Sequence, residues 1–500
     1  MYVADGLLLG SSYDWNLLVI ERISMGAAMF LYRKSRYVAI AGLLIAWVSA
    51  PLSMLAQNSL PADQQANVDA IAQQVLAKTG VPSASVGIVT NGKIAYVKAY
   101  GKAQLDPPVE ATPEMRYSIG SISKQFTATA ILMLQQQGKL KLDDPISTWL
   151  PQLTRAKEVT LREVLSHTSG YQDYYAEDYS MLPMKNPTTA DAILDNWGKK
   201  PLDFEPGTQW QYSNTNYVIA GKILEIVSGM PVMNYLQKNI FTPLEMTHVM
   251  NSDVHQLEQT DAHGYVRYAL GPLRPAPQDG PGWMFAAGEL AMPVHDLLLW
   301  DIAMMNESLL QPASYREMFT GVKLKDGEDT HYGLGVEIST RDGHLVISHS
   351  GEVSGFTSEN MVLPQDKVAI AVLTNQEAVG AAGVIAGKIA AIVVGLPPNE
   401  SKHSAEQARQ IFIGLQHGKI DRSLFTENCN AYFDAQALGD FESSLKPLGA
   451  PIEFRQTSKE SRGGMTFRVY DIVFAATHLE LTTYQMPDGK IEQYIVTPAE

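Results

Sequence analysis

The feature that most limits the fold is the placement of strand-like runs. Ala84–Thr90 and Lys93–Tyr100 are apolar runs joined by Asn91-Gly92, the strongest short hairpin signal. Strand character then returns at Leu334–Ser339, His344–Ser348, Asn360–Leu363 and Val368–Thr374, with Asp342-Gly343 as a second turn. Ahead of the first hairpin, Ala62–Thr79 spaces Val68, Ile71 and Val75 as a helix does and stops at Gly80. Between the two strand groups the pattern is helix and loop, opening with a long helical region from Ser121 through Gln137 to Gly138. The economical arrangement is α+β: an antiparallel sheet built from both ends, flanked by helices and carrying an inserted helical lobe.

Gly395-Leu-Pro-Pro-Asn399 breaks this pattern and reads as a linker. Residues 396–402 are taken as the link between a domain over 62–395 and a small α+β domain over 403–500. The second domain has helical stretches at Ala405–Leu415 and about Ser423–Leu438. Strand candidates follow at Ile452–Thr457, Met465–Ala475, His478–Gln485 and Ile491–Thr497, the last two joined by the turn Pro487-Asp488-Gly489. Arg462-Gly463-Gly464 reads as a turn before a strand. A chain ending near Pro398 is expected to fold and to keep part of the activity. Binding a ligand, forming a homodimer and bracing the first domain stay open as roles of the second.

Residues 1–56 read as an over-extended start plus an export signal. Arg33, Lys34 and Arg36 precede the uncharged run Tyr37–Ala50, which falls short of the ~20 residues that span a bilayer. Cleavage is placed after Ala56, a start at Met25 or Met29 is preferred, and the mature chain is expected in the periplasm or secreted, with no stable membrane anchor. A net charge of −15 argues against a phosphate-tracking surface, so no nucleic-acid partner is expected. The single cysteine, Cys429, allows no intrachain disulfide and no thiolate metal site, and reads as an inert thiol. No metal or cofactor is called for.

Three short patterns carry chemistry. In Ser121-Ile-Ser-Lys124, residues three apart on a helix share a face, so hydroxyl and amine meet. Burial lowers a lysine pKa and makes the amine a proton acceptor. A second copy, Ser443-Ser-Leu-Lys446, has no companions. Tyr212-Ser213-Asn214 offers a phenol able to act as a base and an amide able to hold a peptide-like substrate. His349-Ser350-Gly351 closes an apolar run, where a substrate can pair with backbone and the following amide, of Glu352, can face an oxyanion. His167 reads as loop-bracing. The run Tyr171–Tyr175 with Glu177, Asp178 and Tyr179 reads either as pocket wall or as an aromatic surface loop.

In this order the three patterns resemble the superfamily of class C β-lactamases, D-alanyl-D-alanine carboxypeptidases and family VIII esterases. Tyr117-Ser-Ile-Gly-Ser121-Ile-Ser-Lys124-Gln-Phe-Thr127, Val164-Leu-Ser-His-Thr-Ser-Gly170 and Phe204-Glu-Pro-Gly207 through Tyr212-Ser-Asn-Thr-Asn-Tyr217 carry the likeness, which spans Val68 to Gly395. The resemblance implies a serine hydrolase in which Ser121 is acylated, Lys124 activates it, and Tyr212 shuttles the proton to the leaving group and then activates water. It further implies that Asn214 holds the substrate amide and that the backbone N–H groups of Ser121 and Glu352 form the oxyanion hole. His349 stands where many of these lactamases carry lysine. It is expected to meet a substrate carboxylate when protonated, or else to brace the strand and Tyr212. Substrates implied are peptide-like or β-lactam amides, D-alanyl peptides foremost. A carboxylesterase and a penicillin-binding sensor with little turnover are the alternatives. The second domain resembles nuclear-transport-factor-like or cystatin-like modules.

Overall fold

The computed structural model describes residues 59–395, 406–462, 465–486 and 489–499. The segments read as export signal and linker, and most of the Pro487-Asp488-Gly489 turn, lie outside the described residues.

The opening helix α1 (Ala62–Thr79) ends as its sequence requires, with Gly80 left-handed at φ 73° and its N–H returned to Leu76 O. The hairpin β1 (Ser83–Thr90) and β2 (Lys93–Leu105) follows, then the short β3 (Pro108–Glu110). After a 3₁₀ turn over Gly120–Ile122 comes α2 (Ser123–Gln136). The lobe contributes α3 (Asn214–Ser228) and α4 (Val294–Met305). The chain then returns as β4 (Glu337–Arg341), β5 (His344–Val353), β6 (Phe356–Leu363) and β7 (Val368–Thr374), closed by α5 (Ala381–Val393).

These strands form one antiparallel sheet in the order β3-β2-β1-β7-β6-β5-β4. Chain ends therefore meet at its centre, where β1 lies beside β7 with Ala84 opposite Thr374. Alternation sorts the side chains. Val368, Ile370 and Val372 join Val68, Val75, Ile385 and Ile389 in a core under α1 and α5. Ala369, Ala371 and Leu373 join the larger core shared with α2, α3 and α4. Strand β5 runs longer than its apolar run suggested. Pairing with β6 continues through Glu352–Thr357 and Val353–Phe356, so His349–Gly351 lie inside the strand and not at its end.

Beyond the first sheet, α6 (Glu406–Leu415), α7 (Glu427–Tyr432) and α8 (Ala435–Leu445) pack on a second antiparallel sheet. Its strands β8 (Glu453–Arg462), β9 (Met465–Val473), β10 (His478–Gln485) and β11 (Ile491–Pro498) pair in chain order. The helix expected over Ser423–Leu438 is divided, because Asp434 caps the next helix by accepting from Ala437 N–H. Phe412, Phe433, Phe441, Leu479 and Leu481 fill the core between these helices and the sheet. Asn58–Glu500 is a single compact unit. The lobe is tied to the second sheet by Tyr179 Oη donating to Glu492 O at 2.5 Å and by Asp178 N–H donating to Gln493 Oε1 at 2.6 Å.

Candidate active site

Ser121 sits in the 3₁₀ turn that leads directly into α2, since Ile122 and Ser123 already have helical dihedrals. In such a turn residues i and i+3 eclipse. Lys124 Nζ accordingly lies 2.9 Å from Ser121 Oγ, and it also donates to Asn214 Oδ1 at 2.7 Å and to Ala287 O at 2.8 Å. Lys124 is fully buried. Burial holds its pKa well below the ordinary lysine value, with Asp173 opposing that shift and Arg462 reinforcing it. Two carbonyl oxygens thus take two amine hydrogens, and the third direction faces the serine. A neutral amine in that position presents its lone pair to the Ser121 hydroxyl.

Tyr212 is held just ahead of α3. His167, buried beneath it, accepts from Ser213 N–H at 3.2 Å and from Asn216 Nδ2 at 3.3 Å, and its ring lies 4.3 Å from the Tyr212 ring. It braces the loop, as its sequence setting suggested. The Tyr212 hydroxyl is buried beside Ser121. Burial raises its pKa, while neighbouring Ser121 and the Arg462 charge act to lower it. Asn214 is less free than expected. Its Oδ1 accepts from Lys124, and its Nδ2 donates to Tyr175 O at 2.7 Å, so the amide holds the lysine in place. Asp173 lies behind it, accepting from Asn214 N–H at 2.8 Å and Tyr175 N–H at 3.2 Å.

The far wall is β5. Gly120 has φ 52°, and a Cβ there would stand 2.6 Å from Glu352 N, so the turn carrying Ser121 presses its backbone against the strand. Gly351 is needed for the same reason, because a Cβ there would collide with Ile119 O. Ser121, Tyr212, Asn214, His349, Ser350 and Glu352 all line one cavity of about 350 Å³, with Lys124 buried behind its wall. Tyr175, Glu177 and Asp178 line it too, which decides that segment as pocket wall and not surface loop.

Of two further expectations, the first is a choice between alternatives and the second needs correcting. His349 is buried, with Nδ1–H donating to Ser350 O at 2.5 Å and Nε2 2.9 Å from the Tyr332 hydroxyl. Burial, then the Lys124 charge, push its pKa down to about 3. It is neutral at physiological pH and offers a substrate carboxylate no charge. The strand-bracing alternative is the one the geometry favours. The correction concerns Arg462, which closes β8 and does not belong to a turn. Its side chain lines the cavity together with Glu460, Phe467 and Tyr484 of the second sheet. The residues following Gly395 therefore help to enclose Ser121, so the expectation of an active chain ending near Pro398 loses its basis. Ser443 and Lys446 make no site: the serine donates to Asp440 O and the lysine pairs with Glu442. Cys429 is buried, which raises its thiol pKa well above the ordinary value.

Comparison with known proteins agrees with this geometry. The Beta-lactamase family model matches residues 68–393. The flp protein of Staphylococcus aureus (strain COL) is 30% identical over 321 residues, which cover 63% of this chain and 63% of flp. This chain thus spans less than two thirds of that relative. A D-stereospecific amidohydrolase from Streptomyces sp. superposes with a TM-score of 0.57 at 27% identity, over 66% of this chain and 99% of its own. The octameric penicillin-binding protein homologue from Pyrococcus abyssi shares the fold over 87% of this chain and 96% of its own, with a TM-score of 0.58 at 23% identity. With most of its length matched by that family model and a buried lysine set against Ser121, this chain belongs to the Beta-lactamase family and is a serine hydrolase.

Proposed function

We propose that the chain hydrolyses peptide-like amides, D-alanyl peptides or β-lactams among them, through an acyl-enzyme on Ser121. The observation that carries this reading is the contact between Lys124 Nζ and Ser121 Oγ at 2.9 Å, with the amine's other hydrogens taken by Asn214 and Ala287. Because burial depresses the lysine pKa and raises that of Tyr212, the first proton goes to Lys124. Ser121 Oγ then bonds to the carbonyl carbon, and the oxyanion is met by the backbone N–H groups of Ser121 and Glu352. Tyr212 hands a proton to the departing amine as the C–N bond breaks. In the second half the phenolate left on Tyr212 takes a proton from water, which attacks the ester, and Lys124 returns its proton to Ser121 Oγ as the acyl C–O bond breaks. The Tyr212 hydroxyl, with Ser121 beside it, is placed for both transfers.

The D-stereospecific amidohydrolase of Streptomyces sp., at 27% identity, supports a D-configured amide as substrate. Action outside the cytoplasm belongs to the same proposal and rests on the sequence of residues 33–56 alone. The test is a substrate panel: a D-alanyl-D-alanine peptide, a D-amino acid amide, a chromogenic cephalosporin and nitrophenyl esters. Steady turnover of one of the amides is the expected result. Turnover of esters alone would make the chain a carboxylesterase, and a burst without turnover would make it a sensor; either overturns the amide reading.

A further inference from the structure

The cavity is acidic in composition. Glu177, Asp178, Glu337, Glu352 and Glu460 line it, and Arg462 is the one arginine or lysine among the described residues that do. Arg462 arrives from the second sheet and is held there on several sides. Its Nη1 donates to the Tyr484 hydroxyl at 2.9 Å, and Tyr484 is itself stacked 4.7 Å from Phe467. Asp173 Oδ2 lies 3.7 Å from Nε, and Asp178 Oδ1 lies 3.8 Å from Nη1. The guanidinium stands over the Tyr212 ring, 5.1 Å from its centroid. Lys124 Nζ stands 5.0 Å from the same centroid. The phenol thus has two basic side chains against its ring, and the one that keeps a fixed charge comes from residues the sequence places in a different domain.

We propose that Arg462 is a positioning residue for the acylation chemistry: its guanidinium supplies the fixed positive charge beside Tyr212 and pins Asp173 behind Asn214. The inference rests on the serine-hydrolase reading of Ser121. A charge at this distance favours the deprotonated form of a neighbouring acid and opposes protonation of a neighbouring amine. Arg462 therefore acts in one direction on both candidate bases, favouring the phenolate of Tyr212 and the neutral amine of Lys124. Other groups facing Tyr212 are Ser121 and Lys124 from the nucleophile turn and α2, His167 and Asp173 from the lobe, and Glu337 and His349 from β4 and β5. Removing Arg462 takes away the guanidinium that lies 3.7 Å from Asp173 and 3.8 Å from Asp178, and Asp173, no longer offset by it, pushes both pKa values the same way, upward.

The experiment measures kcat/KM against pH for one neutral nitrophenyl ester, in the full chain and in Arg462→Gln, Arg462→Lys and Tyr484→Phe. In Arg462→Gln the acidic limb, which reports the essential base, should move upward by about one pH unit, a tenfold loss at fixed pH below the limb. The loss should fall on kcat more than on KM. Arg462→Lys should return the limb toward its original position. Tyr484→Phe removes the anchor at 2.9 Å without removing charge, and should give a smaller shift of the same sign. Should Arg462→Gln not fold, Tyr484→Phe and Arg462→Lys decide the matter by the same readout. An unmoved limb in every variant overturns the proposal, as does a loss confined to KM. Fluorophosphonate labelling separates this failure from that of the underlying reading. Label retained in Ser121→Ala sinks the serine assignment itself, whereas label lost there with unmoved limbs sinks only the role of Arg462.

Discussion

Replacing Lys124 with methionine keeps the length and apolar stem of the side chain and removes the amine that sits 2.9 Å from Ser121 Oγ. Losing a positioned general base costs about 10²–10⁴ in rate, equivalent to ~3–5 kcal/mol of barrier. The cost to folding is of a different kind. Asn214 Oδ1 and Ala287 O lose their donor, at ~1–3 kcal/mol each for a buried acceptor left unpaired. Against this, the fold no longer holds an amine whose burial lowers its pKa, and each unit of such a shift returns ~1.4 kcal/mol. These terms oppose, so the change in unfolding free energy should be smaller than the change in barrier. The sign of the pH dependence follows from linkage. The unfolded chain binds the Lys124 proton more readily, so the burial penalty is largest below the folded pKa and vanishes above the ordinary 10.5. Wild-type stability gains from this group as pH rises through that window, and the Met variant lacks the gain. Esterase kcat/KM and urea melts at about pH 7 and about pH 9 measure both effects. A Met variant within tenfold of wild-type kcat/KM would refute Lys124 as the base. Identical pH slopes of stability would refute the depressed pKa.

Three further outcomes follow from the same geometry. With His349 at about 3, the ratio of kcat/KM for a carboxylated substrate to that for a neutral ester should show no histidine transition between about pH 5 and about pH 9; a step there would restore the carboxylate role. Tyr332→Phe removes the hydroxyl 2.9 Å from His349 Nε2 and should cost ~1 kcal/mol of stability in a urea melt, with less than about tenfold loss of kcat/KM; loss of all activity would contradict a bracing role. Gly120→Ala forces a Cβ to 2.6 Å from Glu352 N at positive φ, which should lower stability by ~1–3 kcal/mol and depress kcat/KM; an unchanged urea midpoint and rate would contradict the close approach.

The parts of the site that the sequence made legible are those fixed by local spacing. Ser121 and Lys124 lie within one turn, Tyr212 and Asn214 flank a helix start, and His349–Gly351 share a strand. The sheet was legible for a related reason, since Asn91-Gly92 and Asp342-Gly343 mark its hairpins and the unbroken apolar run Val368–Leu373 marks a strand buried on both faces. What stayed hidden depends on contacts between distant segments. Arg462 was taken for part of a turn because Gly463-Gly464 follows it, and nothing near it in sequence points to Tyr212. One signal could have found it: with histidine in place of lysine on β5, the site lacked a fixed cation, and an arginine from elsewhere was worth seeking. Spacing left the role of His349 open between two alternatives, because its charge depends on burial beside Lys124, which spacing does not reveal.

The central claim is that Ser121 is the residue that becomes acylated. Intact-protein and peptide mass spectrometry after incubation with a fluorophosphonate, and separately with a penicillin, tests it most directly. The account expects one added phosphonyl or acyl mass on the peptide containing Ser121, none in Ser121→Ala, and labelling unchanged in Ser443→Ala. Adduct found on another residue, or undiminished in Ser121→Ala, would contradict it.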